Sequence, residues 1–203
     1  KHLIYASTSS VYGANKKFPL KESYNTDKPL SFYAASKKTN EVMAYSYSYI
    51  FNLPTTGLRF FTVYGPYGRP DMALFKFVKA ILQNKYIHLF NKGDHFRDFT
   101  YIDDIVMYIE SLIKKPSKDA VPYKIFNIGS DKPYSLTKFL SLIETSLNKK
   151  AKIKLVKAQL GDVHKTHASI DNLKKITGLF PKVKLKKGIK SFINWYKDYY
   201  KNL

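Results

Sequence analysis

Short apolar runs alternate with helix-spaced apolar sets along almost the whole chain, and this alternation limits the fold more than any other feature. Residues 2–6, 55–63 and 123–128 read as strands, with shorter ones at 87–90 and 153–156. Between and after them the spacing predicts six helices. The first is capped by Ser31 and runs to about Asn52, with Val42, Tyr45 and Tyr49 on one face. The next lies near 73–84. A third is opened by Asp103 or Asp104 and stopped by Pro116, and a fourth is capped by Ser135. A short helix ends at Gly178 and Pro181, and the last covers about 186–201. Several strands are apolar on both faces and are separated by helices, which predicts an α/β fold with a parallel sheet.

Composition removes several classes. Hydrophobic residues make up 44% of the 203, enough for a core and too many for a disordered chain. There is no cysteine, so disulfide and thiol chemistry are excluded; a reducing compartment fits, and the cytoplasm is the expected location. No apolar run has the length of a membrane span, so no membrane partner is expected. No metal site is expected either. The start, Lys1-His2-Leu3-Ile4-Tyr5-Ala6, lacks the pattern of a signal peptide. It also lacks an initiating methionine and enters a strand directly, which suggests a fragment.

The net charge is +20, and the stretch from Lys149 onward carries 15 lysines against Asp162, Asp171 and Asp198. A polyanion partner is one reading and a solvated lysine face the other. Arginine is scarce (Arg59, Arg69, Arg97), whereas nucleic-acid readers lean on its fork. Nucleic acid is therefore not the expected partner, although a nucleoside diphosphate would welcome the positive field.

Tyr33-Ala34-Ala35-Ser36-Lys37 places a phenol and an ammonium one helical turn apart. A phenol ionises near pH 10, so acting as a base at neutral pH requires roughly 4 kcal/mol of help, part of which a neighbouring cation supplies. In a chain with 17 tyrosines the pair alone also reads as a surface contact. Its neighbours change that. Tyr5-Ala6-Ser7-Thr8-Ser9-Ser10-Val11-Tyr12-Gly13 precedes it, and Leu58-Arg59-Phe60-Phe61-Thr62-Val63-Tyr64-Gly65-Pro66 follows. Then come Gly68-Arg69-Pro70-Asp71-Met72, the block from Phe96 through Arg97-Asp98-Phe99 to Asp104, Phe126-Asn127-Ile128-Gly129, and Gln159-Leu160-Gly161-Asp162-Val163. In this order the motifs resemble the extended short-chain dehydrogenase/reductase family, close to its UDP-glucuronate 4-epimerases, from residue 1 to about 190.

The resemblance implies a partial Rossmann-like parallel sheet with a smaller α/β substrate-binding region. Residues 1–62 and 98–128 would belong to the NAD-binding part, and 63–97 and 129–203 to the substrate region. It also implies NAD as cofactor and epimerisation at C4 of a UDP-sugar through a 4-keto intermediate. Tyr33 would be the base for the 4-hydroxyl, Lys37 would assist it and hold the nicotinamide ribose, and Thr8 would bond the same hydroxyl. Phe60 would lie on the cofactor side. Thr62, Arg69, Phe90, Arg97, Gln159 and Asp162 would bind substrate, Arg97 at the diphosphate and Arg69 at the sugar or its carboxylate.

Phe90 reads equally as core, Asp103 or Asp104 as a helix cap, and Asn127 with Gly129 as a turn. Related dehydratases carry Asp-Glu before V-Y-G; Ser9-Ser10 stands here, which favours epimerisation. A dimer through the Tyr/Lys helix is the family's habit. Relatives often carry aspartate where Ser169 stands. No G-x-x-G-x-x-G is present, so the expectation is that about a hundred upstream residues carry it and that this chain alone is inactive. Another nucleotide-sugar epimerase or a dehydratase of the same family is the alternative within it; a basic nucleic-acid-binding module, or a non-catalytic scaffold, is the alternative from another class.

Overall fold

The computed structural model describes residues 1–157 and 163–201. Its elements are β1 (Leu3–Thr8), α1 (Phe32–Phe51), β2 (Thr55–Phe60), β3 (Thr62–Tyr64), α2 (Ala73–Leu82), β4 (Tyr86–Phe90), β5 (Phe96–Tyr101) and α3 (Ile102–Ile113). They are followed by β6 (Tyr123–Ile128), β7 (Pro133–Ser135), α4 (Leu136–Leu147), β8 (Lys152–Val156), α5 (Asp171–Thr177) and α6 (Leu185–Tyr199). The central sheet is parallel, in the order β1-β2-β6, with Leu3 opposite Thr55 and Thr55 opposite Tyr123. The alternation of strands and helices thus gives an α/β architecture with parallel sheets, as the sequence predicts.

Residues 55–63 are not one strand. Phe61 donates its N–H to Ile128 O at 3.0 Å, which ends the central ladder, and Thr62 then pairs with Phe99 of β5 in a second sheet, β3-β5-β7. Residues 55–63 are buried or half-buried throughout, so burial carries no sign of the change of sheet. β4 and β8 form a third, two-stranded parallel sheet.

α1 starts where Ser31 accepts the Ala34 N–H at 3.1 Å and ends at Asn52 in the left-handed region. It buries Ala34, Glu41, Ala44 and Ser48, while Val42 and Tyr49 point outward. The apolar stripe read from the sequence therefore only borders the sheet: Tyr45, half exposed, packs edge-on against Tyr123 of β6 with ring centroids 5.3 Å apart. Two apolar cores hold the rest. Leu58, Phe61, Tyr108, Leu112 and Phe126 share one with Ile170 and Leu173, whereas Phe75, Val78, Phe139, Ile143, Ile189 and Phe192 share the other with Phe99 and Tyr101. The first core therefore also recruits the segment around α5. Among the described residues no helix is long and apolar enough to cross a membrane.

Candidate active site

The three parallel strands of the central sheet end at Thr8, Phe60 and Ile128, the edge where ligands sit in open α/β sheets. A cavity of about 660 Å³ opens there. Its lining includes Thr8, Tyr33, Lys37, Phe60, Thr62 and Arg69.

Each side chain is placed by a local cause. Thr8 closes β1, is 7% exposed, and caps the short 3-10 turn Ser9–Tyr12 by accepting the Ser10 N–H at 3.2 Å. Gly13 ends that turn at φ 57°, where an added Cβ would meet Lys28 O at 2.4 Å, so the glycine of V-Y-G is required. Tyr33 and Lys37 lie in the first two turns of α1, which the Ser31 cap fixes. Among the described residues neither the phenol nor this ammonium has a hydrogen bond or ion pair within the chain. Phe60 and Thr62 flank the kink at Phe61.

The other predicted positions are spread more widely. Arg97 lines a smaller adjoining cavity of about 240 Å³ with Lys165 and Thr166; Ser9, Ser10 and Thr62 are common to both. Its guanidinium donates to Phe96 O at 3.0 Å and His164 O at 3.1 Å. Phe90, half-buried at the end of β4 and paired with Val156, lines neither cavity. Gln159 and Asp162 lie outside the described residues.

Behind the cavity stands a polar framework that motif reading missed. Arg59 grips Glu41 with two hydrogen bonds of 2.8 Å, and both side chains are almost fully buried. Ser7, next to Thr8, donates to the same carboxylate at 2.6 Å. Arg59 also lies 4.8 Å from the Tyr12 ring centroid and donates to Glu22 O. The pair thus joins α1, β1 and β2 at the site. A lone Glu eight residues after Tyr33, on the flank of the apolar stripe, was the available signal.

Two expectations need correction. Asn127 is no turn residue: it lies in β6, fully buried, accepts from Tyr12 Oη at 2.6 Å and donates to Leu20 O and Ser169 O. Gly129 is required because a Cβ would stand 2.5 Å from the Ala168 Cβ. Nor does Asp103 or Asp104 cap α3, whose N-cap is Tyr101; buried Asp104 instead accepts the N–H groups of Lys182 and Val183. Asp98, fully buried, accepts from Ser130, Asp131 and Ala168, and burial pushes its carboxyl above the ordinary range against those bonds.

Comparison with known proteins shows the family. The NAD dependent epimerase/dehydratase family matches residues 1–129, and the chain belongs to that family. Protein CapI of Staphylococcus aureus is 49% identical over 99% of this chain and 64% of its own length. UDP-glucuronate 4-epimerase 1 of Arabidopsis thaliana is 44% identical over 98% of this chain and 49% of its own. The crystal structure of UDP-glucuronic acid 4-epimerase from Bacillus cereus, in complex with UDP-glucuronic acid and NAD, superposes with a TM-score of 0.90 at 32% identity, over 97% of this chain and 62% of that one. The chain thus spans less than two thirds of the length of each.

Proposed function

We propose that this chain supplies the acid–base pair and the sugar-nucleotide side of an NAD-dependent 4-epimerase that interconverts UDP-glucuronate and UDP-galacturonate. The observation that carries the reading is the convergence of Thr8, Tyr33 and Lys37 on one cavity with Phe60, Thr62 and Arg69. A phenol and an ammonium without hydrogen-bond partners among the described residues, lining one cavity with an aromatic ring, fit the ribose and nicotinamide of NAD. When bound, NAD supplies the acceptor and donor of hydride at C4. Tyr33 takes the 4-hydroxyl proton and returns it, Lys37 holds the ribose from one helical turn away, and Thr8 holds the hydroxyl in line. Ser9 and Ser10 line the cavity, and among the described residues its lining holds no carboxylate. Eliminating water would need such an added acid, so the lining supports epimerisation.

Arg97 and Lys165 in the adjoining cavity suit the diphosphate, and Arg69 suits the uronate. Phe90, Gln159 and Asp162 remain part of the proposed nucleotide contacts, as do the division into residues 1–62 with 98–128 against 63–97 with 129–203, a cytoplasmic location and a part in supplying polysaccharide precursors. The test is thermal unfolding of this chain with UDP, UDP-glucuronate or duplex DNA. Saturating UDP-glucuronate is expected to raise Tm by about 5–10 °C, the size expected at a hundredfold excess over Kd. Stabilisation by DNA that exceeds that by both nucleotides would overturn the reading.

The outward face of α1 supports a homodimer as part of the same proposal. Val42, Met43, Tyr49 and Ile50, between 51% and 68% exposed, fall on one side of the helix. Ile50→Glu is expected to convert dimers to monomers in sedimentation equilibrium without changing the circular dichroism.

A further inference from the structure

Arg69 does not meet the cavity as a bare cation. Its Nε donates to Asp71 Oδ1 at 3.0 Å and its Nη2 to Asp71 Oδ2, so one edge of the guanidinium holds a carboxylate two-pronged. The two charges shift each other: the hydrogen bond with Asp71, then its charge, raises Arg69 above its ordinary range, with a smaller contribution from the Tyr33 phenol. The hydrogen bond from Arg69 holds the Asp71 carboxyl below the usual carboxylate range. Arg69 and Tyr33 line the same cavity, and the Asp71 carboxylate takes up the fork of Arg69.

The backbone that carries the pair is anchored. Gly68 donates its N–H to Gly65 O and Met72 to Arg69 O, both at 3.1 Å. Tyr67, at φ 59°, packs its ring 5.1 Å from Trp195 and 6.4 Å from Tyr199 of α6. Any change at Arg69 is thus a change of its side chain, which is 74% exposed and held by Asp71 alone among the described residues.

We propose that Asp71 is a specificity-determining residue: it occupies the Arg69 fork when the cavity holds no anionic sugar, and the carboxylate of a UDP-hexuronate takes its place. The inference rests on the functional reading above. The fork's fit to a planar carboxylate is already displayed by Asp71 itself. A sugar with a neutral C6 hydroxymethyl has nothing to exchange for Asp71 and binds over the intact pair. A uronate gains Arg69 only by breaking that pair, so Asp71 moderates the preference that Arg69 confers.

The test is isothermal titration of this chain, its Asp71→Asn variant and its Arg69→Met/Asp71→Asn double variant with UDP-glucuronate and UDP-glucose. In Asp71→Asn the ratio of UDP-glucose to UDP-glucuronate dissociation constants is expected to rise about two- to fivefold, the range that exposed ion pairs reach. The double variant is expected to lose that gain. Using the ratio removes the attraction of the shared UDP moiety by an added net charge and any effect on the start of α2, while the double variant restores the parent's net charge. An unchanged or lowered ratio in Asp71→Asn overturns the role of Asp71 alone. A chain that binds neither ligand overturns the functional reading with it.

Discussion

Tyr33→Phe is expected to lower turnover of UDP-glucuronate by about 10²–10⁴-fold, the contribution of one positioned proton-transfer group. The substitution removes a single oxygen from a side chain that is half exposed and has no hydrogen bond within the described chain, so the fold has nothing to lose. UDP binding should stay within about twofold of the parent, since the UDP contacts are assigned to the adjoining cavity around Arg97 and Lys165. Formation of UDP-galacturonate, followed in the catalytically competent enzyme, is the measurement. A variant that keeps a tenth of the parent turnover would remove Tyr33 from the chemistry.

The second large effect is on stability. Glu41→Ala leaves the buried Arg59 guanidinium without its counter-charge and strips Ser7 of its acceptor. Breaking a buried pair from one side costs about 3–5 kcal/mol, a large share of what a domain of this size has to lose. Urea denaturation gives the number. Glu41→Gln keeps the shape and one acceptor oxygen, so it should fall between the two. A loss below about 1 kcal/mol in Glu41→Ala would mean that water reaches Arg59 and replaces the carboxylate. Because Ser7 adjoins Thr8 and Arg59 adjoins Phe60, such a variant also tests how firmly the cavity wall is held.

The sequence carried the elements more clearly than their arrangement. Periodicity and caps located α1, α3 and α4, because Ser31, Pro116 and Ser135 act locally. The kink at Phe61 was invisible, since leaving one sheet for another changes hydrogen-bond partners and not side-chain burial. That Thr8, Tyr33 and Lys37 line one cavity was legible, because helix geometry fixes Tyr33 against Lys37 and the hydroxyl turn follows a strand end; their catalytic roles belong to the proposal. The supports were not legible. Glu41 with Arg59, Asp98 with Ala168 and Asn127 with Tyr12 are separated by 18, 70 and 115 positions, and no spacing rule reaches that far. Charged and amide side chains are assigned to the surface by default. Their burial here becomes intelligible only once their partners are known.

The inward face of α1 has one more consequence. It meets the sheet through the Glu41 carboxylate, which Arg59 and Ser7 hold, with Ala34, Ala44 and Ser48 packed beside it and Tyr45 edge-on to Tyr123. Hydrogen bonds of this kind depend on aim, so the Glu41 contact fixes the register of α1 against β1 and β2. Tyr33 and Lys37 ride on the same helix, so the register in which they meet the cavity is set in part by charge.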